Sequence, residues 1–89
     1  MLASSESVVR LPEDVDLHAR PAARFVRTAM GFDATVHVFA DDRRADAKSL
    51  LAVLGLGARR GTALRLRAEG ADANGALDAL VACIAGLVE

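Results

Sequence analysis

The chain has 89 residues, of which 53% are hydrophobic and 26% are charged. This balance is typical of a folded globular protein rather than a disordered one, and the length suits a single domain spanning residues 1–89. The net charge is −1, with Arg residues interleaved among Asp and Glu. That balance argues against a general nucleic-acid binder, which usually carries a basic stripe.

The cysteine count and the absence of long apolar segments exclude further classes. Cys83 is the only cysteine, so no internal disulfide and no cysteine-based zinc cluster can form. We expect it to be a small core residue, and we expect neither a metal nor a cofactor. Residues 1–6 lack the features of a signal peptide, and no segment approaches the ~20 apolar residues that span a bilayer. These features predict a cytoplasmic protein with no membrane association.

The hydrophobic pattern predicts seven elements in the order βαββαβα. Strands that alternate apolar and polar residues favour a sheet covered on one face only. We therefore predict an α+β fold, a two-layer open-faced β-sandwich with a four-stranded antiparallel sheet and three helices on one face. The predicted elements are a strand at 7–11, a helix at 19–30, strands at 34–40 and 43–46, a short helix at 50–54, a strand at 62–68 and a last helix that Asp72 can cap. The apolar stripe of that last helix is predicted to be Leu77, Leu80, Val81, Ile84, Leu87 and Val88.

The segment Leu17–Ala23 carries the strongest functional signal. Pro21 is favoured in the first turn of a helix, so His18 is expected at the helix mouth, where free backbone N–H groups gather. Such a mouth binds anions, and the guanidinium of Arg20 matches the geometry of a phosphate. A histidine in an isolated context would more often only cap a helix. Here, His18 with Arg20 and Pro21 predicts a site that holds a phosphoryl group without a metal.

Two further features lie around the short second helix. Ser49 precedes it and is interpreted from spacing as an N-cap, while a phosphate at that position would suit the helix dipole. Leu50, Leu51 and Leu54 follow, and a helix this short cannot turn all three leucines to the core. One or two of them are therefore expected to stay exposed as a docking surface for a protein partner. His37, on a strand face opposite its valine neighbours, is expected at the surface.

The two segments around His18 and Ser49 resemble the signatures of the HPr family, the histidine-containing phosphocarriers of the phosphoenolpyruvate-dependent sugar phosphotransferase system. Leu17–Ala23 is similar to the active-site signature, and Ala45–Leu51 resembles the signature around the regulatory serine. Residues 56–62 and 68–70 continue the resemblance, which covers nearly the whole chain. Two motifs in the right order make it specific.

The resemblance implies specific roles for these residues. The histidine at position 18 would take a phosphoryl group on Nδ1 from phospho-enzyme I and pass it to an enzyme IIA domain, with Arg20 stabilising that group. Ser49 matches a serine that a dedicated kinase phosphorylates in some bacteria. The positions of Leu50, Leu51 and Leu54 match the apolar patch that docks both partners, with Arg24 and Arg27 as rim charges. The chain is expected to act as a monomeric carrier rather than a free-standing enzyme.

The chain departs from the family just before the Leu-His pair. The family usually has Asn-Gly or a similar small turn there, whereas this chain has Asp14-Val15-Asp16. Extra negative charge near His18 is expected to disfavour a phosphorylated ring and to alter the choice of partner.

Two alternatives stay open from the sequence. One is a related carrier of a nitrogen-related or dihydroxyacetone-related phosphotransferase branch, with the same site and different partners. The other, of a different class, is a ferredoxin-like small-molecule or RNA-binding module, which can share the βαββαβ order and would expose aromatic residues or a basic sheet face. Phe39, Arg65 and Arg67 supply only a small part of such a surface.

Overall fold

The computed structural model describes residues 4–87 and has the predicted order of elements. Every predicted boundary except the start of the first strand coincides with the observed one or lies within one residue of it, and the helix that follows His18 begins and ends where the pattern indicated. The elements are β1 (Ser4–Arg10), α1 (Ala19–Met30), β2 (Thr35–Ala40), β3 (Arg43–Asp46), α2 (Leu50–Gly55), β4 (Ala63–Glu69) and α3 (Ala73–Ala85).

The four strands form one antiparallel sheet in the order β1-β4-β2-β3. Its two faces differ because apolar and polar residues alternate along the central strands. Val38 of β2 pairs with Leu66 of β4, and both are fully buried. Arg65 and Arg67 lie on the opposite, exposed face. The predicted open-faced β-sandwich is confirmed, with α3 packed against β1 and β4, and α1 packed against both other helices.

A core of aliphatic side chains lies between the sheet and the helices around the fully buried Phe25, with the partly buried Phe32 packed against it. The predicted stripe of α3 is confirmed at Leu77, Leu80 and Ile84, which are all buried. Val81 is only partly buried, and Leu87 is buried just beyond the helix end. The stripe's last predicted member, Val88, lies outside the described residues.

Strand β1 begins three residues earlier than the predicted start at residue 7 and ends one residue before the predicted end. Every residue from Ser4 to Arg10 has a register partner on β4, with Ser4 opposite Glu69. The serines therefore belong to the strand because of backbone pairing with β4, and not because their side chains are apolar. The apolar pattern does not detect this part of the strand.

The prediction that Asp72 caps α3 through its side chain was wrong. Asp72 occupies the N-cap position, but no capping hydrogen bond runs from the helix to its carboxylate. The carboxylate instead accepts from the backbone N–H groups of Asp33 (2.9 Å) and Ala34 (2.8 Å), just before β2. Gly70, with φ of 139°, lets the chain pass close to Ala34, where an added Cβ would lie 3.1 Å from the Ala34 Cα. The Asp72 carboxylate thus joins the start of α3 to the segment before β2 and does not cap the helix.

This contact predicts that the variant Asp72→Ala is less stable than the native chain at pH 7 and that the difference becomes smaller in acid. The N–H groups of Asp33 and Ala34 hold the pKa of the Asp72 carboxyl below its ordinary value. A carboxyl whose pKa is lowered by folding stabilises the fold above its unfolded pKa of about 3.9, and loses that contribution as the pH falls through the folded value. Asp72→Ala is therefore expected to unfold at lower denaturant than the native chain at pH 7, and the difference should shrink below pH ~4.

Urea unfolding at a series of pH values measures this difference. Asp78→Ala is the matched control, because Asp78 is an exposed aspartate of the same helix. A stability gap between the native chain and Asp72→Ala that stays constant from pH 7 to strongly acidic pH would contradict the assigned role of the carboxylate.

Candidate functional site

His18 stands at the N-cap of α1, as the position of Pro21 predicts. Its side chain is exposed and its backbone is extended, with φ of −114° and ψ of −159°. Its carbonyl accepts the first helical hydrogen bond, from the N–H of Ala22 at 2.8 Å. Arg20 is exposed in the first turn, and the next residue, Pro21, is buried. His18, Arg20 and the N-terminus of α1 therefore lie at the same end of the helix, and residues of these types at a helix N-terminus suit an anion.

The loop in front of His18 is anchored by two buried side chains. Val15 is fully buried and Leu17 is 2% exposed, so each fixes the backbone next to an exposed residue. The N–H of Leu17 donates to the carbonyl of Ala58 at 2.9 Å, and the N–H of His18 donates to the carbonyl of Asp16 at 3.0 Å. His18 thus projects from a segment that the core holds in place.

The connection between α2 and β4 holds this loop from the other side. Gly61 donates to the carbonyls of Leu11 (3.1 Å) and Pro12 (3.2 Å), and Leu11 donates to Thr62 at 2.9 Å. Gly57 and Gly61 have positive φ values of 62° and 74°, a conformation that glycine adopts readily. These two glycines shape the connection so that its backbone lies along the loop before His18.

The Asp16 carboxylate is hydrogen-bonded and paired with a positive charge. It accepts from the backbone N–H of Arg60 at 2.7 Å and lies 3.5 Å from the Arg60 Nε. The Arg60 N–H, with smaller contributions from the guanidinium and from His18, holds the pKa of the Asp16 carboxyl below its ordinary value. Burial of the carboxyl opposes this shift only in part. Asp16 is therefore a bound anion beside His18, and Arg60 carries a counter-charge.

Ser49 occupies the N-cap of α2, and its predicted capping role is confirmed. Its hydroxyl accepts from the N–H of Ala52 at 3.3 Å, and its carbonyl accepts from the N–H of Val53 at 2.9 Å. The preceding turn is closed by Asp46, whose side chain accepts from the N–H of Lys48 at 2.9 Å. Ser49 is half-buried at the mouth of this helix.

The three leucines of α2 are all exposed, where one or two were expected. Leu50 is 41% exposed, Leu51 84% and Leu54 36%. The helix buries only Val53, because six residues form too few turns to place more than one side chain in the core. These leucines form the leucine patch (Leu50, Leu51 and Leu54), an apolar surface carried on a helix that packs against α1.

Arg24 and Arg27 are exposed on α1, as predicted, but they also line a groove that α1 forms with α3. The groove has a volume of about 470 Å³, and its lining residues are Arg24, Arg27, Thr28, Ala79, Ala82 and Cys83. Cys83 is only partly buried there, at the margin of the core rather than within it as expected. The position of the arginines beside the leucine patch stays a prediction.

Other expected features concern His37, metals and membranes. His37 is half-buried on the open sheet face and pairs in register with Asp46 and Arg67. Within residues 4–87, no cluster of three or more His, Cys, Asp or Glu side chains has the arrangement of a metal site. Over the same residues, no helix has both the length and the apolar character needed to cross a membrane.

Sequence reasoning missed the part of the site that residues 57–62 contribute. The glycines at 57 and 61 indicate a turn, but a turn signal does not identify the segment on which the turn packs. Sequence reasoning also did not identify Val15, within Asp14-Val15-Asp16, as the core residue that it is. An apolar residue between two aspartates is the sequence signal that could have identified this position as part of the core.

Comparison with known proteins agrees with this geometry. The family model described as "PTS HPr component phosphorylation site" matches residues 5–86. The phosphocarrier protein HPr of Haloferax volcanii is 51% identical over 76 residues, which are 83% of this chain and 84% of that protein. A multiphosphoryl transfer protein of Xanthomonas campestris is 48% identical over 71 residues, 80% of this chain but only 8% of that longer protein.

The solved structures agree as well. The crystal structure of a phosphocarrier protein HPr from Bacillus anthracis superposes with a TM-score of 0.87 at 34% identity, covering 92% of this chain and 98% of that one. HPr from Thermoanaerobacter tengcongensis gives a TM-score of 0.86 at 38% identity, with 91% of each chain covered. With the histidine at the helix mouth, the open-faced sandwich and a family match over nearly the whole chain, this protein belongs to the HPr family of phosphocarriers of the phosphotransferase system.

Proposed function

We propose that this chain is a monomeric, cytoplasmic single-domain phosphocarrier that accepts a phosphoryl group on His18 from phospho-enzyme I and passes it to an enzyme IIA domain of a sugar phosphotransferase system. The observation that carries the proposal is the exposed His18 at the N-cap of α1, with Arg20 in the first turn. Membership of the HPr family supports the same role.

The chemistry follows from the position of these groups. A lone pair on an imidazole nitrogen of His18, Nδ1 in the family, forms a bond to phosphorus as the phosphorus–nitrogen bond in the donor breaks. Transfer needs an in-line approach and donors for the phosphoryl oxygens, rather than covalent work from the protein. Arg20 and the N–H groups of the first turn of α1 supply these donors, while buried Pro21 holds that turn against the core. The mechanism requires no cofactor.

The leucine patch is the surface proposed to dock both partners, with Arg24 and Arg27 at its rim. Large exposed apolar side chains on a monomer mark an interaction site more often than chance. Here, they lie on a helix that packs against the helix that carries His18. One surface serves donor and acceptor in turn, since each must bring its own reactive group to the same imidazole.

The open sheet face offers little support for a ferredoxin-like RNA-binding role. Phe39 is partly covered by the guanidinium of Arg65, which lies 4.1 Å from the ring centroid. Arg65 in turn contacts Glu6 at 3.1 Å, and Arg67 contacts Glu69 at 3.3 Å. Stacking on bases requires open aromatic faces and free cations, which this surface does not combine. The nitrogen-related and dihydroxyacetone-related branches use the same site, so only the partner proteins distinguish them.

Phosphorylation by enzyme I and phosphoenolpyruvate tests the main proposal. The native chain is expected to gain one acid-labile phosphoryl group, seen by intact mass, because the imidazole forms a phosphoramidate. His18→Ala should gain none. His37→Ala is the matched control and should be phosphorylated like the native chain, since His37 lies on the sheet face away from α1. An adduct that persists in His18→Ala would overturn the assignment of the site.

A second prediction concerns the leucine patch. Leu51 is 84% exposed, so Leu51→Ala is expected to leave the free energy of unfolding nearly unchanged. If the side chain anchors the partners, its loss should raise the KM for phosphorylation by enzyme I about ten-fold, as for an interface anchor worth about 1.4 kcal/mol. Val8→Ala provides the control, because Val8 is 67% exposed on the opposite sheet face. Equal KM values for Leu51→Ala and Val8→Ala would contradict the docking role.

A third prediction concerns Ser49 as a regulatory phosphorylation site, with a serine kinase as a further proposed partner. Ser49→Asp adds a negative charge next to the leucine patch, which penalises docking of an apolar partner surface. This variant is expected to accept phosphate on His18 more slowly, mainly because its KM for phosphorylation by enzyme I is raised. Ser49→Ala removes the capping hydroxyl without adding charge. It should cost about 1 kcal/mol of stability and keep near-native phosphorylation rates.

Initial rates with enzyme I, measured below the unfolding temperature of each variant, distinguish the two effects. Native-like rates for Ser49→Asp would count against an inhibitory phosphoserine. Slow phosphorylation of both variants would assign the effect to loss of the serine hydroxyl instead of the added charge, since aspartate can itself cap a helix.

A further inference from the structure

The side chain of Asp16 bonds the loop before His18 to the α2–β4 connection. Its carboxylate accepts from the Arg60 N–H at 2.7 Å and lies 3.5 Å from the Arg60 Nε. The neighbouring acidic residues Glu13 and Asp14 are exposed at the tip of the loop. The two kinds of carboxylate therefore differ, since one is anchored to a second segment and the others face solvent.

The Asp16 anchor is coupled directly to the backbone of His18. The carbonyl of Asp16 accepts from the His18 N–H at 3.0 Å, while its side chain is bound to Arg60. The next residue, Leu17, is buried and donates to Ala58 at 2.9 Å. Asp16 and Leu17 are thus both bonded to the α2–β4 connection. These two bonds fix the position of the backbone from which the His18 side chain projects.

The charge of Asp16 needs a counter-charge if His18 is to receive a phosphoryl group. A carboxylate two residues from the imidazole repels an incoming anion, and this repulsion lowers the rate unless it is offset. The guanidinium of Arg60 lies beside that carboxylate and is itself 60% exposed. Arg60 therefore offsets the negative charge from the solvent side.

We propose that Asp16 is a positioning residue for His18, through a clamp of its carboxylate on the backbone N–H of Arg60, and that the Arg60 guanidinium neutralises this carboxylate toward the arriving phosphoryl group. The proposal rests on the proposed function of His18 as the phosphoryl acceptor. It assigns a role to the acidic residue at the point where this chain departs from the small turn usual in the family.

Three variants test the clamp by steady-state phosphorylation from enzyme I. Asp16→Ala removes the acceptor and is expected to lower kcat about ten-fold with little change in KM, because a misplaced reacting group slows transfer more than it weakens docking. Asp16→Asn keeps an acceptor oxygen for the Arg60 N–H and should stay within about two-fold of the native kcat. Asp14→Ala is the control for loss of a loop carboxylate and should equal the native chain.

Two further variants test the counter-charge. Arg60→Gln keeps the backbone donor but removes the guanidinium, so the clamp remains while the charge of Asp16 is uncovered. Its phosphorylation is expected to slow about three-fold at low ionic strength and to recover with added salt, which screens exposed charges. The double variant Asp16→Asn/Arg60→Gln should return to the rate of Asp16→Asn. An equal rate for Arg60→Gln and the native chain at low salt would overturn this half of the proposal.

Amide hydrogen exchange gives a readout that does not depend on phosphorylation. The Arg60 and Leu17 amides are expected to exchange faster in Asp16→Ala than in the native chain and Asp16→Asn. Unchanged exchange, a native kcat for Asp16→Ala, or an Asp16→Asn variant as slow as Asp16→Ala would each overturn the clamp. If the native chain failed to accept phosphate while Asp16→Ala still released the Arg60 amide, the carrier function would be wrong and the anchoring contact correct.

Discussion

Burial of only one face of the antiparallel sheet is the constraint on which the rest of this structure depends. Val36 and Val38 on β2, with Leu64 and Leu66 on β4, present an apolar surface that water must not reach. The helices cover that surface, and their own apolar stripes complete the core around Phe25. The functional groups follow from this arrangement, because a helix that lies on the sheet with one face buried leaves its N-terminus and its outer face to solvent.

The proposed site lies where helices meet loops. His18 and Ser49 are both N-cap residues, so each lies where backbone N–H groups are available to an anion. α2 is so short that Val53 is its only buried residue, and its three leucines form the exposed leucine patch. The same geometry thus provides an imidazole at one helix mouth, a capping serine at another and an apolar surface on a packed helix.

The local elements could be predicted well because each depends on residues close in sequence. Alternation in 64–67 indicates a one-sided strand, and Pro21 in the first turn locates the start of α1. The Ser49 cap is confirmed for the same reason, since its hydroxyl binds an amide only three residues away. Predictions failed where a side chain serves a distant segment. Asp72 stands at a cap position but bonds to residues 38 and 39 positions earlier, and no local pattern contains that information.

The sequence by itself determined the order of elements, the apolar faces and the placement of His18, Arg20 and Ser49 at helix starts, because hydrophobic period and capping chemistry act over a few residues. Only the tertiary structure decided how the loop before His18 is held. Asp16 and Arg60 are 44 positions apart, and they meet because antiparallel pairing of β1 with β4 brings the ends of their flanking loops together. The charge expected to disturb the site is, in the folded chain, bound to a neighbour that no short-range pattern could identify.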